Sequence, residues 1–425
     1  MPEKLLRYKI AGFPLPLYLG ILATLYACMR IGCVPDGMVG GFFLLMVIGE
    51  GLNTLGKTVP VVRTYLGGSV ACILGGAILA SLGLIPDGAM QTVNAFVNEQ
   101  GFLVFYIAAL ICGSLFSIDR DLLLRATVKI LPTAVIGLAV GCTTVGCLSL
   151  FMGYRFLEGI LMIAIPMTSG GMTAGAVPLS SIYAQALGQE AGEVLTRIAP
   201  ATVLGNIVAI VFAALANRLG EKYPKMTGHG QLINDGREVR KNPPVVPTFA
   251  KLGTGLIISL AFYQVGELLH TFFSVVPTYA WMIILAILAK TFRLLSEELE
   301  EATRAWGQFA ISGWTAAALT GIGITLIDLK TIMSGMTLFY FMTVVIGVLA
   351  ITLTAAFVGC KIMGFYPLEA AIAAGMCTTN MGGSGNVAVL SSAERMELLP
   401  FAQIVTRSCG ALMLTLGGIM IHLLQ

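Results

Sequence analysis

Apolar stretches separated by short polar ones dominate this chain, and their length predicts its elements. Runs of about 17 to 25 apolar residues recur, the length an α-helix needs to cross roughly 30 Å of hydrocarbon. Eleven such spans are predicted near residues 11–30, 34–50, 67–87, 101–117, 129–152, 197–218, 251–273, 275–291, 306–328, 333–359 and 400–422. Stretches such as FLVFYIAALICGSLF do not alternate, which excludes the short alternating strands of a membrane β-barrel. Two further segments, 156–190 and 366–394, are apolar enough to enter a membrane, yet Gly, Pro or short polar residues break each at its middle. Each is predicted to be a re-entrant hairpin.

Composition agrees with the pattern. Of 425 residues 57% are hydrophobic and 11% charged, so the chain is read as an all-α polytopic membrane protein. MPEKLLRYK leads into the first apolar run without a small-residue cleavage site, so that run is expected to stay as a helix. Nine cysteines, most inside apolar runs and none in a CxxC pair, read as small buried hydrophobes, and the three scattered histidines suggest no metal.

A net charge of +3 speaks to topology and not to nucleic acid. With the N-terminus in the cytoplasm and the C-terminus outside, all of the 25 Lys and Arg except Arg30, Arg155, Arg197 and Lys330 fall on the inner side, as the positive-inside rule requires. The hairpin at 156–190 then enters from outside and that at 366–394 from inside.

The two hairpins resemble each other. Leu157-Glu158, Gly170-Gly171 and Ser180-Ser181 in the first are matched by Leu368-Glu369, Gly382-Gly383 and Ser391-Ser392 in the second, with 22 residues from Glu158 to Ser180 and again from Glu369 to Ser391. This predicts an extra N-terminal helix within 1–33, a first repeat at 34–218, a polar cytoplasmic linker at 219–250 and a second repeat at 251–425. Each repeat holds five spans, an odd number, which inverts one relative to the other. Two inverted-topology repeats with broken segments facing each other are the build of secondary transporters, which bind their cargo where the breaks meet.

The chemistry at the breaks suits an anion. Gly170, Gly171, Gly382, Gly383 and Gly385 allow close backbone approach, and free N–H groups at the start of a half-helix favour a carboxylate. For one GG pair, tight helix packing is the commoner explanation; two polar GG tips at matched places favour a cavity lining. Arg407 lies 15 residues inward of His422, roughly 22 Å along a helix and short of leaving the hydrocarbon. No Asp or Glu of a neighbouring span is an obvious mate, so a bidentate contact to a substrate carboxylate is expected, against the plainer reading that it snorkels to the interface. Thr378, Thr379, Asn380, Ser384 and Thr406 are neutral oxygen donors that suit sodium better than a proton. Glu158 and Glu369 begin their hairpins, where an acidic residue complements a helix N-terminus.

With these residues in view, the chain resembles the 2-hydroxycarboxylate transporters, which include bacterial sodium-citrate and sodium-malate symporters. The resemblance runs from RYKIAGFPLPLY through GGMTAGAVPLSSIY and GFYPLEAAIAAGMCTTNMGGSGNVAVLSS to RMELLPFAQIVTR. It implies a homodimer in the bacterial inner membrane, with a scaffold and a moving part that carries substrate by an elevator motion driven by sodium. It further implies a substrate site of Gly171, Met172, Thr173, Asn380, Gly383, Ser384 and Arg407, and sodium held by Cys377, Asn380, Ser384 and Thr406.

Two departures bear on the cargo. Family members commonly carry GGNG at the first tip where this chain has GGMT, and citrate carriers can show an Arg before the second GG where this chain has Met381. One cation fewer favours a dicarboxylate such as malate over citrate. The alternatives are a membrane subunit of a sodium-pumping decarboxylase, which would need a central intramembrane Asp and partner subunits, a proton-coupled carrier, and a channel, for which no filter or charged ring is evident.

Overall fold

The structure, a computed structural model, describes residues 9–59, 62, 67–117, 120–234, 247–273, 278–327 and 337–421. Lys4, Arg7, Arg63, Arg237, Arg240, Lys241 and Lys330, used above for orientation, and His422 lie outside them. All eleven predicted windows contain a helix: Leu15–Ile31, Met38–Thr58, Gly67–Ser81, Phe102–Ser117, Arg120–Ser149, Ala191–Lys222, Phe249–Phe272, Thr278–Thr291, Glu297–Leu326, Leu338–Val358 and Leu399–Met420. Seven helices among the described residues are long and apolar enough to cross a membrane unaided, or eight if one bent pair counts as a span. The described residues hold one two-stranded ribbon, Lys9–Ile10 with Phe13–Pro14, turned through Ala11 and Gly12 at positive φ.

Packing divides the chain into two compact units, residues 1–106 with 310–330, and residues 107–309 with 331–425. In the first, Phe42 meets Phe96 and Trp314 edge-on at centroid distances of 5.7 and 6.0 Å, and the Tyr106 hydroxyl lies 2.6 Å from Thr315 Oγ1. Gly49 and Gly76 lie against the Ala316 and Thr320 carbonyls, so close that a Cβ would come within 2.7 and 2.8 Å of those oxygens. This unit also contains a helix that hydropathy does not reveal, Asp87–Asn94, continued by a π-helical turn at Ala95–Glu99. Ala89, Val93, Phe96 and Val97 bury one face of it at helical spacing while the other stays polar. It meets the Phe102–Ser117 helix at a 41° bend, where Gly101 takes φ +76°.

The second unit holds both hairpins. Gly113 faces Gly307 so closely that a Cβ on either would sit 2.7 Å from the other's Cα, and Gly137 of the Arg120–Ser149 helix lies against Ile351 of Leu338–Val358. The two hairpins share their local conformations as well as their letters. A π-helical turn widens the first leg of each, at Ile160–Ala164 and Ala371–Gly375, 211 residues apart. Gly171 and Gly382, also 211 apart, precede the second helical leg with similar backbone angles, φ 103° ψ −170° and φ 79° ψ −138°. Gly171 thus corresponds in conformation to Gly382, whereas reading along the sequence pairs it with Gly383.

The matched glutamates do different work. Glu158 caps its helix, accepting from the Arg155 N–H at 3.4 Å. Glu369 is fully buried, with Arg395 Nε at 3.3 Å, the Thr227 hydroxyl at 2.7 Å and the Gly230 N–H at 3.3 Å on Oε1. The Arg395 guanidinium also donates to Asn217 Oδ1 and to the Ala393 and Glu394 carbonyls. Arg395 therefore belongs to the interior of this unit and not to the solvated charges that set topology. The start of the predicted linker is also packed: the helix runs on to Lys222, and Ile233 bridges to Phe365 below the second hairpin, while residues 235–246 lie outside the described region.

Removing one partner of a buried ion pair leaves an uncompensated charge, at about 3 to 5 kcal/mol. Glu369→Ala should therefore lower the melting temperature in detergent far more than Glu158→Ala, which loses only a cap. Equal shifts in the two variants would show that the Glu369 network contributes nothing beyond a helix start.

Candidate functional site

Both hairpin tips lie in the second unit, and they touch backbone to backbone. A Cβ on Gly171 would fall 2.6 Å from the Met381 carbonyl oxygen, and one on Gly382 would fall 2.8 Å from that of Gly170. Gly170 lies against the last helix at Gly410 and the Thr406 carbonyl. The first leg of the first hairpin ends at Thr168 and the second leg starts at Met172, leaving Ser169, Gly170 and Gly171 as the turn. In the second hairpin, helix stops at Thr378 and resumes at Gly383, so Thr379, Asn380, Met381 and Gly382 form the unwound part.

Side chains secure this unwound backbone. The Asn380 Oδ1 accepts from the Gly382 N–H at 2.9 Å, and its Nδ2 donates to Asn386 Oδ1 at 2.7 Å. Asn206, from the Ala191–Lys222 helix, accepts the Met381 N–H on Oδ1 at 3.1 Å. Because a backbone N–H can only donate, this contact fixes which end of the Asn206 amide is oxygen. Asn206 Nδ2 is then buried without a partner, as are Asn386 Nδ2, Gln403 Oε1 and Arg407 Nε. Buried polar atoms in folded proteins nearly always have partners, and these four, of eleven without one among the described residues, sit on the elements that surround the tips.

Oxygen atoms concentrate beside this spot. The Thr406 hydroxyl lies 2.7 Å from the Cys377 carbonyl oxygen, 2.7 Å from that of Ala402 and 2.9 Å from Asn386 Oδ1. One hydroxyl has one proton to give and faces three acceptors, an excess of oxygen that suits a hard cation. No cluster of His, Cys, Asp or Glu able to hold a metal occurs among the described residues.

The sequence-predicted residues are distributed as follows. Asn380, Cys377 and Thr406 come together through Asn386, and Gly171 and Gly383 stand at the two facing tips. Gln403 Nε2 donates to the Gly383 carbonyl at 3.3 Å, and Tyr279 approaches Gly383 so that a Cβ there would be 3.5 Å from its ring. Arg407 is part-buried, makes no ion pair among the described residues and lies in electrostatic range of Tyr279. Met172 begins the second leg of the first hairpin, half-buried. Ser384 sits in the first turn of Gly383–Ser392, half-buried and outside the hydrogen-bonded cluster. Thr173 is in the Met172–Ala176 turn, and its side chain lies outside the described residues.

Sequence reading missed Asn206, Asn386, Gln403 and Tyr279. Asn206 does leave a signal: it is the one amide in the apolar run IAPATVLGNIVAIVFAALA, where a polar residue at membrane depth calls for a partner.

The sequence profile of the 2-hydroxycarboxylate transporter family matches residues 10–419. The chain belongs to that family. It is 38% identical to the citrate transporter CitP of Lactococcus lactis subsp. lactis, over 99% of this chain and 96% of the relative. The malate transporter MleP of Lactococcus lactis subsp. lactis (strain IL1403) is 38% identical over 99% of both chains. The Na(+)-malate symporter of Bacillus subtilis (strain 168) is 30% identical over 96% of this chain and 92% of its own. The family's members are transporters, and the site described here belongs to a multi-span transporter and not to an enzyme.

Gly382 tests the tip contact. Gly382→Ala adds both an unfavourable positive φ and a collision with the Gly170 carbonyl, whereas Gly188→Ala, at φ 64° with open space around it, adds backbone strain alone. Both variants should fold, with modestly lowered melting temperatures, and only Gly382→Ala should lose solute uptake. Full uptake by Gly382→Ala would mean that the tips need no close approach.

Proposed function

We propose that this protein is a sodium-coupled symporter that imports a 2-hydroxycarboxylate, malate ahead of citrate, across the bacterial inner membrane. The observation that carries this reading is the group of orphaned buried donors, Asn206 Nδ2, Asn386 Nδ2 and Arg407 Nε, beside two facing glycine tips in a member of this transporter family. A carboxylate takes the guanidinium and amide donors, and Gly171 and Gly383 let it approach the backbone; Met172, Thr173, Asn380 and Ser384 complete the substrate side. Sodium takes the oxygen-rich side, at the Cys377 carbonyl, Asn380, Ser384 and Thr406, with Asn386 Oδ1 added to the set that the sequence suggested.

Coupling to sodium and not to protons is supported by the neutral oxygens of this cluster. Among the relatives above, the Bacillus symporter is named for Na(+), while the names CitP and MleP carry no ion. Preference for malate follows from Met381, a thioether where an added cation would favour a third carboxylate.

The matched π-helical turns and tip glycines support two inverted repeats, 34–218 and 251–425, with the hairpins re-entrant from opposite faces. The positive-charge asymmetry supports a cytoplasmic N-terminus and an outside C-terminus. The homodimer and the elevator motion follow from the family resemblance.

Uptake of labelled malate and citrate into proteoliposomes, with and without an inward sodium gradient, is the direct test. Malate should enter faster than citrate and only with the gradient; gradient-independent uptake would remove the coupling, and uptake of neither acid would remove the substrate class. Arg407→Ala should cut transport at least a hundredfold in a folded protein, as expected from losing a charged hydrogen-bonded contact of about 3 kcal/mol. Met381→Arg should raise citrate uptake relative to malate.

A further inference from the structure

Away from the tips, the second unit holds a cavity of about 230 Å³ between the Ala191–Lys222 helix, the first leg of the first hairpin at Met162, and the start of the Leu338–Val358 helix. That volume is below the roughly 300 to 1,000 Å³ of pockets for drug-sized ligands, so its occupant is a small molecule. Its polar lining comes from Tyr154, Thr196, Arg197 and Tyr340. Arg197 is exposed and enters no ion pair among the described residues. The Tyr340 hydroxyl is buried and has no hydrogen-bond partner.

Pro200 also lines the cavity, and it lies inside the helix. A proline has no N–H to offer the carbonyl four residues earlier, which here is Thr196, so that oxygen lacks its usual helical donor. The Thr196 hydroxyl is occupied, donating to the Gly192 carbonyl at 2.9 Å. The cavity thus combines an unpaired cation and an unused phenolic donor with a carbonyl acceptor released by proline. A 2-hydroxycarboxylate has the complementary set on adjacent carbons, a carboxylate to accept and a hydroxyl to donate.

We propose that this cavity is a second hydroxycarboxylate site, where Arg197 and the Tyr340 hydroxyl hold a carboxylate and the Thr196 carbonyl accepts from the 2-hydroxyl. It rests on the carboxylate-transport reading and shares no residue with the tip site. Being lined by the helix that supplies Asn206 and by the leg that leads to Gly171, it is placed to gather substrate ahead of the tips. A cation at the mouth of a path raises the local concentration of an anionic solute.

Binding of malate to purified protein in detergent, followed by saturation-transfer NMR and calorimetry, tests this with the tip site disabled. Arg407→Ala should retain weak malate binding, Arg197→Gln/Arg407→Ala should abolish it, and Tyr340→Phe/Arg407→Ala should weaken it about threefold to tenfold. In proteoliposomes, Arg197→Gln alone should raise the apparent KM for malate about tenfold. Loss of all binding on Arg407→Ala, or residual binding unchanged by Arg197→Gln, overturns the second site while leaving the tip site standing. A wild-type protein that neither binds nor carries malate or citrate overturns the transport reading, and this site with it.

Discussion

Unwound backbone shut inside a protein has to find its hydrogen-bond partners there, because no water reaches it. Everything at the candidate site answers that demand. Two broken helices expose peptide groups around Gly171 and Gly382, and the tips lie against each other at distances only glycine allows. Asn380, Asn206 and Asn386 then take up the N–H and side-chain groups that the contact leaves free. The amides do this incompletely, and the remaining donors give the site its chemistry. Side chains that stabilise the unwound segment, Asn206 and Asn386, are thus the same ones that keep a buried donor without a partner.

The rest of the second unit keeps that segment in place. Below the second hairpin, Glu369, Arg395, Thr227 and Asn217 tie its two ends to the segment after the Ala191–Lys222 helix. Such a pair contributes little net stability over an apolar replacement, but breaking it is costly, so it favours one arrangement over its neighbours. The same helix provides Asn217 at this anchor and Asn206 at the tip, three helical turns apart. The anchor and the tip contact are therefore both served by one element.

Much of this was legible in the letters, for identifiable reasons. Each of the eleven apolar windows contains a helix because hydropathy marks buried helical stretches, though only seven, or eight with one bent pair, are long and apolar enough to cross a membrane. The 22-residue spacing in both hairpins was readable because chemistry and spacing repeat together. The Asp87–Glu99 helix was not legible: it is short and amphipathic, and its apolar face at Ala89, Val93 and Phe96 is too narrow to raise local hydropathy. The burial of Arg395 is not legible, because nothing along the chain shows that Glu369, 26 residues earlier, lies 3.3 Å away in the fold. The role of Asn206 is not legible because nothing along the chain says which face of a buried helix meets Met381. Arg407 stood out because a cation 15 residues from a helix end is anomalous whatever surrounds it.

The widened turns at Ile160–Ala164 and Ala371–Gly375 have a consequence for how each tip is aimed. A π-helical turn accommodates one residue more than a regular turn does, and one residue is worth about 100° of rotation around a helix axis. Everything beyond it is thus swung round by more than a quarter circle relative to an uninterrupted helix. Both hairpins contain this extra residue at the same point, so the facing of Gly171 toward Met381, and of Gly382 toward Gly170, depends on a paired offset in counting. A one-residue deletion there would keep each leg helical and apolar, and would turn its glycine away from the other tip.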